Sequence, residues 1–257
     1  MKVHFLGTAG YHPSEQRQTT CLMLPEAGIV LDAGTGMFRV RQHLTTPTLD
    51  IFLSHAHLDH AVGLTYLLGI LWEMNVERVT VHGDGAKLAA IEQHLFSRDL
   101  FPVAPAYAAR PVDQSLTLAS GVRVIPFPLA HPGGSLGYRF EWPGLPQANP
   151  QQPTRSLAYV TDTTAAGERS PYLEHVRGVD LLVHECNFRD GQEDWAEKTG
   201  HSSLAPVLKL AAAAQVKRLV LMHFNPLETS DDPVGLAAAR AIFPNTTLAT
   251  DGLAIDF

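Results

Sequence analysis

A layered α/β fold is predicted by three features of this 257-residue chain. Short apolar runs rich in β-branched residues recur along its length, each bounded by glycine, proline or polar residues. Stretches with apolar residues at helical spacing separate those runs. A hydrophobic fraction of 45% beside a charged fraction of 18% is that of a globular protein with a substantial core. Strands interleaved with helices place the helices outside packed sheets. The length suits one domain spanning residues 1–257.

In chain order, Lys2–Gly7, Thr20–Leu24, Ile29–Asp32 and Asp50–Ser54 read as strands. Ala61–Met74 and Gly85–Phe96 read as helices, with Leu67, Leu71, Trp72 and Phe96 on packing stripes. Strands follow at Val122–Ile125, Gly137–Trp142, Ser156–Thr161, Leu181–His184 and Arg218–Met222, with a terminal pair around Leu248 and Ile255. Helices are expected at Pro171–Val176, Ser202–Ala214 and Asp232–Ile242. The polar, proline-rich segment Pro143–Pro153 reads as a loop between two strands.

Several classes are disfavoured. No run reaches the roughly 18 apolar residues of a membrane span, and the start MKVHFLG reads as a strand rather than a signal peptide. A soluble, cytoplasmic protein without membrane contact is expected. The net charge of -7 gives no sequence-wide grip on nucleic acid, although bound metal could supply local positive charge. Cys21 and Cys186 each lie alone in an apolar run, as buried free thiols do.

The chemistry concentrates in Ser54-His55-Ala56-His57-Leu58-Asp59-His60. Four nitrogen and oxygen donors within six residues, on a strand-to-helix turn, converge on a small volume. Imidazole suits zinc and iron while carboxylate suits harder ions, so a mixed set can hold two ions side by side. Three further polar residues stand where apolar strands end: His131, Asp162 and His223. Alone, each is an ordinary turn residue; beside the first motif they complete two coordination spheres.

With these motifs in hand, the sequence resembles the metallo-β-lactamase superfamily, and within it the ribonuclease Z-like branch. The resemblance begins at Leu6-Gly-Thr-Ala-Gly10 and passes through Pro13, Arg17 and Leu31-Asp-Ala-Gly34 to the histidine motif and Gly63. It continues with His131, Gly137-Tyr138, Tyr159-Val-Thr-Asp162-Thr163, Leu182-Val-His-Glu185, Gly200-His201-Ser202, Leu221-Met-His223 and Asp251-Gly252. It implies a four-layer αββα sandwich. One metal would be held by His55, His57 and His131, the other by Asp59, His60 and His223, with Asp162 bridging. The implied ions are two divalent metals, zinc first, with manganese or iron as alternatives. Asp32, at a strand end, reads as the partner of a ligand histidine's N–H. Relatives form dimers, and the apolar Leu64–Trp72 stretch offers a face for a homodimer.

Two such ions sharing a water would lower its pKa to about 7 and offset charge on a reacting oxygen. Asp59 would orient or deprotonate that water. His201, just ahead of an alanine-rich helix whose dipole lowers its pKa, would act as general acid, opposed by a carboxylate at Glu185. The family resemblance implies the same pairing. His184, inside an apolar strand, reads as structural. His4, His12, His43, His82, His94 and His175 belong to no motif, though loop residue His12 could line a pocket.

A proton donor for an oxygen leaving group favours a phosphodiesterase. Full ribonuclease Z enzymes carry a tRNA-gripping arm between the positions matching His131 and Asp162. Here only thirty residues lie between those two, and Pro143–Pro153 contains no lysine or arginine. The expected substrate is therefore a small or short phosphodiester. The alternatives are tRNA 3′ processing and hydrolysis of carboxylic esters, lactones or thioesters by the same fold.

Overall fold

The computed structural model describes residues 1–143 and 155–257. The expected loop Pro143–Pro153 lies, beyond its first residue, outside the described residues. Fourteen strands are present among those described: β1 Lys2–Gly7, β2 Cys21–Leu24, β3 Ile29–Leu31, β4 Thr48–Phe52, β5 Arg78–Gly83, β6 Ala108–Pro111 and β7 Leu116–Thr117. These are followed by β8 Arg123–Leu129, β9 Ser135–Trp142, β10 Arg155–Val160, β11 Leu181–Glu185, β12 Leu219–Met222, β13 Thr246–Leu248 and β14 Ala254–Asp256.

The chain forms two compact units. The first holds Met1–Val112, Asn225–Thr229 and Ala249–Asp256, with a seven-stranded sheet in the order β14-β1-β2-β3-β4-β5-β6. Its β14 to β3 pairings are antiparallel and its β3 to β6 pairings parallel. Val30, Ile51 and Val81 from the central strands pack with Leu64, Leu67, Ile70 and Leu88 from the helical segments. That burial of one helical stripe on a sheet face drives the unit together.

The second unit holds Asp113–Phe224, Ser230–Leu248 and Phe257, with the order β13-β12-β11-β10-β9-β8-β7. Its β7 to β10 pairings are antiparallel, and β10 to β13 are parallel. The parallel connections carry the helices Leu173–Val176, Leu204–Ala213 and Leu236–Ile242. Strands β11 and β12 are buried at every residue, as helix-covered parallel strands are. Ala158, Leu182 and Leu221 meet Val176, Val207 and Ala211 in this core.

Several local expectations change. The helix read as Ala61–Met74 is three pieces: α-helix Leu58–Ala61, 3₁₀ turns Val62–Tyr66 and α-helix Leu67–Glu73. The cause is packing at Gly63, whose N–H donates to the Ala33 carbonyl at 2.7 Å instead of within the helix. A Cβ there would fall on the Gly34 and Ala33 carbonyl oxygens and on Met37. Gly63→Ala should lower stability by about 2–3 kcal/mol, read as a lower denaturation midpoint at unchanged slope.

Trp72 does not pack on its helical stripe; it is 90% exposed, while Leu64 and Leu67 are fully buried. Gly85–Phe96 is helical only to Ala90 and continues as a π turn, Ile91–Leu95. The segments around Leu248 and Ile255 belong to different sheets, as β13 and β14. Strand β4 starts and ends two residues before its expected limits, because the Ser54 N–H turns to the Asp32 carboxylate at 2.7 Å. The helix Glu193–Thr199 and strands β5, β6 and β7 were not anticipated. Cys21 and Cys186 are buried free thiols, and burial pushes both pKa values well up. No helix among the described residues is long and apolar enough to cross a membrane.

Candidate metal centre

In the first unit, the turn after β4 carries His55, His57, Asp59 and His60. The His55 ring lies 4.3 Å from that of His57 and 4.4 Å from that of His60, between ring centroids. Asp32, fully buried just beyond β3, accepts from the His60 Nδ1–H at 2.9 Å. Its carboxylate also takes the Ser54 hydroxyl at 2.8 Å. Ser54 Oγ is in turn 3.0 Å from His55 Nδ1. One carboxylate thereby orients two imidazoles, fixing Nδ1 of His60 as the protonated nitrogen and leaving Nε2 as the nitrogen that could bind a metal. Asp59 Oδ2 accepts the Tyr11 N–H at 2.8 Å and lies 3.3 Å from His60 Nε2.

In the second unit, His131, Asp162, His201 and His223 come together beyond the ends of β8, β10 and β12. His131 donates Nδ1–H to the Gly200 carbonyl at 2.9 Å, and its Nε2 stands 3.6 Å from Asp162. Gly200 has φ of 77°, and a Cβ there would strike Pro132 and His131, so glycine permits this contact. His223 Nε2 lies 3.1 Å from Asp162 Oδ1. Ligand atoms of Asp162, His201 and His223 all fall within 4.8 Å of one another.

Glu185 lies against His201 in this unit. It is fully buried, and Oε1 accepts from the Thr163 N–H at 2.9 Å and from His201 Nδ1–H at 3.1 Å. Oε2 accepts from the N–H groups of Asn187 and Ser202, both at 3.2 Å. Three backbone donors plus an imidazole satisfy a carboxylate that would otherwise be costly to bury. His201 lies three residues before the helix Leu204–Ala213, and its ring bonds to Glu185. His184 is spoken for: Nδ1–H donates to the Glu185 carbonyl at 2.7 Å, and Nε2 accepts from Tyr172 at 2.9 Å. Burial lowers its pKa and keeps it neutral.

Backbone strain marks the same places. The described non-glycine residues with left-handed φ are Tyr11, Asp32, Asp162, His223 and Gln215. Each such residue costs about 1–3 kcal/mol unless its surroundings impose it, and all but Gln215 belong to the donor clusters or touch them. The donor chemistry fits divalent metal: Nε2 atoms turned inward by Nδ1 partners, mixed with carboxylate oxygens. Ser54, the Tyr11 N–H, the Gly200 carbonyl and Asn187, which donates to the His223 carbonyl at 3.0 Å, are contributors that no sequence motif marked. Ser54 could have been found from its place at the head of the motif. The others act through backbone atoms or across distant sequence and leave no such signal.

Asp32→Asn keeps the shape of the carboxylate and tolerates its φ of 54°. It is expected to weaken metal affinity by roughly 10–100-fold. Competition with a chromophoric chelator would read this, while the thermal midpoint of the metal-free protein changes little.

A beta-lactamase superfamily domain matches residues 28–224. Ribonuclease Z of Methanopyrus kandleri is 30% identical over 280 residues, covering 98% of this chain and 96% of that protein. Ribonuclease Z of Gemmatimonas aurantiaca is 27% identical over 301 residues, covering 99% and 95% respectively. The crystal structure of human tRNase Z, short form, superposes with a TM-score of 0.75 at 22% identity, over 100% of this chain and 99% of that one. That last likeness speaks to the fold. The chain belongs to the metallo-β-lactamase superfamily, in its ribonuclease Z-like branch. It has that family's α/β fold of two mixed sheets flanked by helices, and it is a metal-dependent hydrolase.

Proposed function

We infer that this protein is a phosphodiesterase with two divalent metal ions, acting on a small or short phosphodiester. The residues of both units would work as one domain. His55, His57 and His131 would hold one ion, Asp59, His60 and His223 the other, and Asp162 would bridge; zinc suits this donor set best, with manganese or iron as alternatives. Bound there, the ions would lower the pKa of a shared water to about 7 and offset charge on the phosphoryl oxygens.

The chain's own groups would do the rest. Asp59, held through Oδ2 by the Tyr11 N–H, would orient the attacking water and accept its proton. His201 would deliver a proton from Nε2 to the departing oxygen, with Glu185 holding Nδ1–H and stabilising the imidazolium. The Glu185–His201 contact of 3.1 Å is the observation that carries this reading. An alkoxide leaving from phosphorus needs an acid, whereas activated esters and thioesters do not. The substrate size follows from the thirty residues between His131 and Asp162, too few for a long tRNA-gripping arm, and from the net charge of -7.

Purified protein supplied with zinc or manganese should hydrolyse bis(p-nitrophenyl) phosphate; inertness under both metals would refute the assignment. A second reading, tRNA 3′ processing, draws on two relatives named ribonuclease Z that match over 95% and 96% of their own lengths. Cleavage of a precursor tRNA at its 3′ end, lost in His60→Ala, would promote it.

A further inference from the structure

Leu6–Gly10, Arg17 and Asp251-Gly252 carry part of the sequence resemblance, yet the mechanism above leaves them unused. All lie in the first unit. Asp251 stands in the turn before β14, where the Gly252 N–H donates to the Phe5 carbonyl at 2.8 Å. Its side chain is almost fully buried. Oδ1 accepts from the Thr8 hydroxyl at 2.8 Å. Oδ2 accepts from the Gln18 N–H at 2.7 Å and from Arg39 Nη1 at 2.6 Å.

One carboxylate therefore grips both ends of the loop between β1 and β2. The fully buried Thr8 is shared, since its Oγ1 also accepts from Arg17 Nη1 at 2.8 Å. The same guanidinium donates to the Ala249 carbonyl at 2.7 Å. Backbone bonds close the stem as well: the N–H groups of Thr8 and Ala9 both donate to the Gln18 carbonyl at 2.9 Å. The Thr20 hydroxyl donates to the Ala9 carbonyl at 3.1 Å. Such dense pairing is what makes a buried carboxylate tolerable.

Tyr11 follows Thr8 by three residues. Its N–H donates to Asp59 Oδ2 at 2.8 Å from a φ of 59°, a left-handed backbone that is costly for a bulky residue. The ring is 78% exposed, so side-chain packing does not impose that backbone. A hydrogen bond to a carboxylate is worth about as much as this strain costs. The Asp59 bond alone would hold Tyr11 only marginally, and the closed stem decides the matter. We propose that Asp251 is a positioning residue for Asp59. By closing the loop on Thr8 and Gln18 it keeps the Tyr11 N–H on Asp59, and so fixes how that carboxylate is presented to metal. The proposal rests on the reading of Asp59 as a metal donor.

Thr8→Val removes the shared hydroxyl while keeping the buried shape, and Asp251→Asn removes the charge. In each, hydrogen exchange at the Tyr11 amide should quicken by about tenfold more than at the core amides of Val30 and Ile51. Competition with a chromophoric chelator should show metal bound about tenfold more weakly, as when the partner of a metal ligand is lost. A residue that only stabilised the fold would lower the thermal midpoint and quicken all three amides alike. Equal quickening at the three, or metal affinity unchanged in both variants, would overturn the proposal. Should Asp251→Asn fail to fold, Thr8→Val still decides. If the parent binds no metal while Tyr11 responds as expected, the loop still positions Asp59 and the two-metal reading is what fails.

Discussion

Asp162→Ala is expected to abolish hydrolysis of bis(p-nitrophenyl) phosphate, lowering kcat/KM by about 10³-fold or more. Metal supplies several kcal/mol of transition-state stabilisation to such a reaction, and ~4 kcal/mol corresponds to about 10³ in rate. In the second unit Asp162 contacts two histidines: His223 Nε2 at 3.1 Å and His131 Nε2 at 3.6 Å. Its own geometry is constrained, with φ of 50° and the Thr161 hydroxyl donating to Oδ1 at 2.7 Å. If it bridges two ions, metal analysis of the variant should give one ion or none where the parent gives two. Equal metal content in the two proteins, with activity retained, would remove Asp162 from the ligand set.

His201→Ala separates phosphodiester cleavage from rival chemistry of the same fold. A positioned general acid contributes about 10²–10⁴-fold, but only where the leaving group needs a proton. Loss should be near that range for an alkyl leaving group and much smaller for p-nitrophenolate. The dependence of log kcat/KM on leaving-group acidity should steepen in the variant. Glu185→Gln should reproduce part of this pattern, because Gln can accept from Nδ1–H but cannot stabilise the imidazolium. Uniform loss across leaving groups would mean that His201 holds metal beside Asp162 and His223, whose ligand atoms lie within 4.8 Å of its own. Nearly full activity on every substrate would instead point to carboxylic-ester, lactone or thioester hydrolysis.

The sequence by itself determined where candidate metal donors concentrate, because metal chemistry requires particular side chains and His55, His57, Asp59 and His60 are packed into one short turn. It also determined most strands, whose buried apolar runs show in composition alone; Lys2–Gly7 was placed to the residue. It pointed to Glu185 as the partner of His201 through the need for a carboxylate to oppose the helix dipole and through family resemblance, while sixteen positions separate the two and no local spacing links them. Tertiary structure decided what local propensity could not. The break at Val62–Tyr66 follows from Gly63 donating to Ala33, a contact between distant segments. Trp72 lies on an apolar stripe yet faces solvent, because only the fold determines which part of a stripe meets a sheet. The anchoring of His60 by Asp32 and of His131 by the Gly200 carbonyl joins residues far apart in sequence. Ligand identity is a property of side chains and is written locally. Ligand orientation depends on hydrogen bonds that the folded backbone alone brings within 3 Å.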